Sequence, residues 1–271
     1  MNPVRDYKNK KKPQREQISN GVKIIFLGTN GWYNTDTGNT ICTLIETKDY
    51  FIILDAGNGI YKISQHIKNE KPIYLFLSHF HLEHIFGLHL LNSFNFKQGI
   101  SIYSQRGTRK IFKKIINTRF TMPFERLPYT VKVHELPKEK NKLPFPVESK
   151  FLVHASPCLG FRFDLEGKII TYCPDTAFCQ NAIKLAKNAD LLIAECALKV
   201  GGRTFEAQNW PHLNPETAAK IAKEARAKKL ALIHFDASIY QTLKERKEAE
   251  KFAKKIFKNS FATIDDMEIK I

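Results

Sequence analysis

Nowhere do the 271 residues hold an apolar run long enough to span a bilayer, and the first twenty, rich in Lys, Arg, Asn and Gln, lack the apolar stretch of a secretory signal. A cytoplasmic chain with no membrane partner is the expectation. Cysteine is sparse: Cys42, Cys158, Cys173, Cys179 and Cys196 are odd in number, scattered and without a C-x-x-C pair. That suits buried thiols in a reducing compartment better than a disulfide framework, and no metal site needs them. Acidic residues are outnumbered, 27 against 43 Lys and Arg, leaving a net charge of +16 that favours polyanions such as RNA or DNA. A solvated Lys-rich surface produces the same count, so charge ranks substrates without choosing one. Internal repeats and Gly/Ser linkers are also missing, and 43% apolar with 26% charged residues is ordinary globular usage.

Residues 1–20 carry Arg5, Lys8, Lys10, Lys11, Lys12 and Arg15 with almost no apolar side chains, which predicts a mobile basic tail. From Val22 onward, short β-branched and aromatic runs predict strands at Lys23–Gly28, Ile41–Glu46, Tyr50–Leu54 and Ile73–Leu77. Further strands are expected at Val131–Leu136, Phe151–His154, Phe161–Phe163, Ile169–Tyr172, Leu191–Ala194 and Leu230–Ile233. Helical spacing marks Ile60–Ile67, Thr108–Ile116, Asn181–Lys187 and Gln241–Phe257. Asn214 before Pro215 reads as an N-cap and first-turn pair opening a helix through Ala227. A single domain over residues 21–271, built from two related halves, is the simplest account.

The strongest chemical signal is Leu77-Ser78-His79-Phe80-His81-Leu82-Glu83-His84, where an apolar strand runs into three histidines and a carboxylate. Two residues apart on an extended segment, His79 and His81 can point the same way. Glu83 and His84, at the start of a following helix, can face a second point nearby, which suits two adjacent metals. Imidazole and carboxylate donors without thiolate accept Zn²⁺ and also Mn²⁺ or Fe.

This segment resembles the H-x-H-x-D-H signature of the metallo-β-lactamase superfamily, departing from it at Glu83, where the family has Asp. Glu keeps the charge but reaches one methylene farther, so the second metal is expected to be displaced, weaker or a different ion. The resemblance extends over nearly all of residues 22–271. His154 precedes Pro157, Gly160 and Phe161 as in the third-ligand segment, Asp175 in Thr171-Tyr172-Cys173-Pro174-Asp175-Thr176 matches the bridging aspartate, and His234 in Leu232-Ile233-His234-Phe235 matches the last ligand. It implies an α/β fold, the four-layer αββα sandwich with mixed sheets. It also implies two divalent ions, Zn foremost: His79, His81 and His154 on one, Glu83, His84 and His234 on the other, Asp175 between. Taken alone, His154 and His234 read equally as core histidines and Asp175 as a helix N-cap. Asp55 matches a family position too, expected to support the ligands rather than join them. His66, His89 and His134 match nothing.

Ala189-Asp190-Leu191-Leu192-Ile193-Ala194-Glu195, then His212-Leu213-Asn214-Pro215-Glu216-Thr217, looks like the ribonuclease Z branch and its phosphodiesterase relatives. There a histidine placed like His212 is the acid or charge stabiliser and a glutamate like Glu195 orients it, which with Asp175 makes the implied catalytic set. Two ions sharing a water can lower its pKa to about 7 and leave hydroxide as nucleophile. Bacterial members of that branch often insert a tRNA-binding arm between the third-ligand histidine and the bridging aspartate, and here only twenty residues separate His154 from Asp175. The expectation is therefore a phosphodiesterase on a small cyclic or oligonucleotide phosphodiester, with a tRNA 3′-processing endoribonuclease second. A carbonyl-ester, lactone or thioester hydrolase, or a nucleic-acid-binding protein on a weakened metal site, stays open. Arg203, Trp210 and Gly201-Gly202 lie in a loop between these parts and are candidates for substrate contact. Homodimers are common among the relatives the resemblance points to.

Overall fold

The computed structural model describes residues 21–201 and 210–271, and places fifteen strands and five α-helices there. The first eight strands are β1 (Lys23–Gly28), β2 (Asn30–Gly31), β3 (Cys42–Glu46), β4 (Phe51–Leu54), β5 (Ile73–Phe76), β6 (Ile100–Gln105), β7 (Val131–Leu136) and β8 (Val147–Phe151). The rest are β9 (Leu159–Leu165), β10 (Lys168–Cys173), β11 (Leu191–Glu195), β12 (Leu230–Ile233), β13 (Phe235–Asp236), β14 (Ser260–Ala262) and β15 (Met267–Lys270). The helices are α1 (Leu82–Ile85), α2 (Thr108–Ile115), α3 (Gln180–Ala186), α4 (Pro215–Glu224) and α5 (Leu243–Ile256). None is long and apolar enough to cross a membrane. The basic tail expected over residues 1–20, together with Gly202 and Arg203, lies outside the described residues.

One sheet has the order β15-β1-β3-β4-β5-β6-β7, antiparallel from β15 to β4 and parallel from β4 to β7. The other runs β14-β12-β11-β10-β9-β8, parallel from β14 to β10 and antiparallel thereafter. Burial on both faces explains why β1, β3, β4, β11 and β12 are nearly continuous apolar runs, whereas the outer strands β7, β8 and β15 are half-exposed and mixed. Ile24 and Phe26 of β1 enter the core between the sheets with Phe161, Phe163 and Tyr172, while the intervening Ile25 and Leu27 pack outward with Ile53, Leu75 and Phe112. A third cluster seals α3, α4 and α5 onto the second sheet through Leu185, Leu192, Ala218, Leu232 and Ala249. Each fully buried Phe or Leu contributes on the order of 1.5–3 kcal/mol. The result is the four-layer αββα sandwich with mixed sheets.

Most expected elements lie within a residue or two of their observed bounds, and the departures have local causes. Ile60–Ile67 is a 3-10 helix spanning Asn58–Gln65. The strand expected at Phe151–His154 is instead β8, which ends at Phe151 and leaves His154 in the bend beyond it. The last helix starts at Leu243 because Thr242 caps it, exchanging hydrogen bonds with Glu245. Asn214 caps α4 as expected, accepting from Thr217 N at 2.9 Å.

Parallel strands in both sheets share a direction, so the segments leaving their carboxyl ends collect along one edge of the sandwich, where open α/β sheets bind ligands. Asp55 follows β4, the histidine-rich segment follows β5, Asp175 follows β10, Glu195 ends β11 and His234 follows β12.

Candidate metal centre and active site

Beyond β5 the chain runs without regular structure to residue 81, where His81 takes the N-cap position of α1 in an extended conformation, φ −63° and ψ 146°. This segment sets His79 and His81 on one side, ring centroids 4.5 Å apart, and the first turn of α1 supplies Glu83 and His84. His234 follows β12 with φ +57°, a left-handed conformation uncommon for residues other than glycine, and its side chain lines the cleft.

These segments bring all seven candidate ligands together. One group, His79, His81, His154 and Asp175, and another, Glu83, His84, Asp175 and His234, each offer donor atoms lying within 4.8 Å of one another. Asp175 joins the two: its Oδ2 is 3.8 Å from His79 Nε2 and 3.7 Å from His154 Nε2, its Oδ1 3.2 Å from His84 Nε2 and 3.3 Å from His234 Nε2. The longer side chain of Glu83 does not remove its carboxylate from the second group. The residues fit divalent cations on a separate count, since His79 Nε2 is buried without a hydrogen-bond partner among the described residues.

The opposite faces of the ligands are held. Asp55, also at positive φ (+55°), accepts from Ser78 N at 2.7 Å, Ser78 Oγ at 2.8 Å and Tyr172 OH at 2.6 Å, and pairs with His84 Nδ1 at 2.8 Å. Ser78 Oγ also meets His79 Nδ1 at 3.0 Å, and Cys158 Sγ lies 3.6 Å from that nitrogen. Contacts at Nδ1 leave Nε2 of His79 and His84 turned to the shared centre. Ser78, Tyr172 and Cys158 carry no motif of their own; only the position of Ser78 beside His79 hints at its part.

Electrostatics suit cation binding. Burial pushes His79 well below its ordinary pKa, lowers His81, and holds His154 near about 4 and His234 near about 3, so these rings offer free lone pairs at neutral pH. Burial opposes charge on Asp175, but His234 and His84 outweigh it and keep its carboxyl ionised well below the usual range. Burial likewise disfavours a charged His84, yet Asp175 and Asp55 overcome it, and the carboxylates that favour a proton there favour any cation.

Beside this cluster Glu195, fully buried, takes His212 Nδ1 on both oxygens at 3.0 Å, and its Oε1 accepts a very short hydrogen bond from Thr176 N. Those contacts occupy the carboxylate, so Glu195, His212 and His234 are less suited to a third ion than their proximity alone suggests. Burial disfavours imidazolium at His212, but the Glu195 charge prevails and raises its pKa to about 9. His212 and Trp210 open onto a cavity of about 500 Å³ that reaches His81, Glu83, Asp175 and His234. His66, His89 and His134 lie outside both ligand groups.

Gly31 in β2 packs directly on the cluster: a Cβ there would lie 2.6 Å from Cε1 of His234. Gly31→Ala is expected to displace the His234 ring, destabilise the fold by about 1–3 kcal/mol, and lower metal content more than it lowers helicity. Elemental analysis beside thermal melting checks this.

Imidazoles and carboxylates gathered at the carboxyl edge of an αββα sandwich define a metal-dependent hydrolase. The chain belongs to the β-lactamase superfamily, since residues 50–235 match the family model described as Beta-lactamase superfamily domain. It is 27% identical over 307 aligned positions to a ribonuclease Z of Bacillus velezensis, covering 92% of this chain and 99% of that one. Because that alignment is longer than this chain, the relative holds stretches with no counterpart here. The structure resembles the metallo-beta-lactamase fold protein YhfI from Bacillus subtilis, with TM-score 0.76, 22% identity and coverage of 93% and 100%. Human tRNase Z, short form, matches with TM-score 0.71, 25% identity and coverage of 91% and 98%.

Proposed function

We propose that residues 21–271 form one hydrolase domain that cleaves phosphodiesters, with His79, His81 and His154 holding one divalent ion, Glu83, His84 and His234 a second, and Asp175 both. Imidazole and carboxylate donors fit Zn²⁺ and would also accept Mn²⁺ or Fe. Bound there, such ions supply Lewis-acid charge and lower the pKa of water to about 7. The observation that carries the reading is the Glu195–His212 pair. With Nδ1 committed to Glu195, His212 keeps Nε2 free to donate to a leaving oxygen; the Glu195 charge raises the pKa of the ring to about 9 against burial while burial raises that of Glu195 itself to about 7, so the pair holds a proton between its members near neutral pH. Carbonyl-ester, lactone and thioester substrates have no evident need of such an oriented acid.

Between His154 and Asp175 the chain is taken up by a short link, β9, a tight turn at Glu166 (φ +53°) and Gly167 (φ +75°), and β10. No arm for a folded RNA projects from this stretch, which together with the cavity of about 500 Å³ supports a small cyclic or short oligonucleotide phosphodiester. A tRNA 3′-processing activity is the second reading, supported by the similarity to ribonuclease Z over most of both chains and by the +16 charge.

Freshly purified protein is expected to contain near two equivalents of metal and to hydrolyse bis(p-nitrophenyl) phosphate until a chelator is added, with recovery on metal add-back. Cleavage of precursor tRNA more efficient than of cyclic nucleotides would replace the first reading with the second. Two equivalents of metal with turnover of lactones or thioesters alone would overturn both.

A further inference from the structure

We infer that Trp32 and Trp210 form a base-stacking wall at the mouth of the metal site, so that its substrates are phosphodiesters bearing a nucleobase. This deepens the proposed function and rests on it. Trp32 is 60% exposed and Trp210 46%, and both line the cavity that ends at His81, Asp175 and His234. Trp210 leans over the ligands, its ring centroid 5.2 Å from His81 and 6.1 Å from His154. A phosphate lodged among the ligands therefore has an indole next to it.

Trp32 does nothing visible for the core. Its one ring contact among the described residues is edge-on to Tyr33, at 5.3 Å. Yet it is held with care in the left-handed region at φ +70°, where a bulky residue is rare. Strain of this kind persists only where surrounding structure over-determines it, and it concentrates at ligand clamps. Here the surrounding structure is plain. Asn30 Nδ2 donates to Tyr33 O at 3.1 Å, Thr35 Oγ1 at 3.0 Å and Gly38 O at 2.9 Å, closing the loop that carries Trp32. Asn30 Oδ1 accepts a very short hydrogen bond from Arg246, which is buried, donates to Thr29 Oγ1 at 2.7 Å, and lies 4.8 Å from the Phe235 ring centroid. The loop is thus tied to β13, the strand that directly follows His234.

An exposed, pre-organised indole beside a phosphate site matches how proteins hold nucleotides by stacking, which is tolerant of base identity because every base has a π-face. A concave wall continuous with the ligands argues for a nucleobase over a flat protein surface, and two indoles argue against a phosphodiester whose alcohols are aliphatic.

The test uses the full, metal-replete chain and two diesters with the same leaving group, thymidine 5′-(p-nitrophenyl phosphate) and ethyl p-nitrophenyl phosphate. Wild type is expected to favour the nucleoside diester in kcat/KM, and Trp32→Ala and Trp210→Ala each to lower that preference roughly ten-fold. Trp32→Phe and Trp210→Phe are expected to retain most of it. Equal losses on both diesters, or an unchanged preference, would overturn the stacking wall. Equilibrium titration with thymidine 5′-monophosphate against inorganic phosphate separates this from the reading beneath it. A protein that hydrolyses neither diester, yet binds the nucleotide better than phosphate through its tryptophans, would sink the phosphodiesterase and keep the wall. Turnover of both diesters without preference, and nucleotide bound no better than phosphate, would sink the wall alone.

Discussion

Asp175→Asn is expected to reduce metal content from near two equivalents to one or fewer and to lower turnover of bis(p-nitrophenyl) phosphate on the order of 10³-fold or more. The carboxylate lies between four imidazoles, one oxygen 3.2–3.3 Å from His84 and His234, the other 3.7–3.8 Å from His79 and His154. Asn keeps the volume and one acceptor oxygen but removes the charge that would balance the two proposed cations. Metal-derived charge stabilisation amounts to several kcal/mol of barrier, and about 1.4 kcal/mol corresponds to ten-fold in rate. Elemental analysis, steady-state kinetics and a melting curve on the same preparation check the result, the last to show that the variant is folded. A variant that holds both ions and turns over within ten-fold of wild type would remove Asp175 from its bridging place.

His212→Ala is expected to keep its metal and to lose turnover selectively. The side chain is outside the two ligand groups that Asp175 joins, so metal content should stay near the wild-type value. A positioned acid contributes about 10²–10⁴-fold when the departing alkoxide needs a proton. The full loss should appear with alkyl leaving groups, and much less of it with p-nitrophenolate, which departs without one. Glu195→Gln tests how the acid is held. The Glu195 charge raises the pKa of His212 to about 9 against the effect of burial. Removing it lowers that pKa, so the alkaline limb of the pH–rate profile should move to lower pH. Equal losses with both leaving groups, or an unmoved limb, would give His212 a structural part instead.

Two parts of the site differ sharply in how readable they are. His79, His81, Glu83 and His84 fall within six positions, and an apolar strand running into them announces a site from local pattern alone. His212 and Glu195 sit seventeen positions apart with no periodicity linking them, and only the resemblance to a family suggested the pair. For His154 local pattern misleads, because its apolar flank has the composition of a strand where β8 has already ended. The capping of α4 by Asn214 was plain, since the Asn-Pro step is itself the signal. Tyr172 and Arg246 are not readable from sequence: each acts through a partner 117 or 217 residues away, and sequence spacing holds no record of such contacts.

Local pattern was enough to place most of the strands, the histidine-rich segment after β5 and the chemical character of its donors, because hydrophobic period and donor type are properties of neighbouring residues. Three-dimensional packing alone brings Glu83 into the second donor group despite its extra methylene, sets Asp175 facing both groups, and places Trp32 at the cavity on a strained loop. Those outcomes depend on two sheets packing so that the carboxyl ends of their parallel strands share one edge. That is a matter of three-dimensional register, which no single stretch of chain encodes.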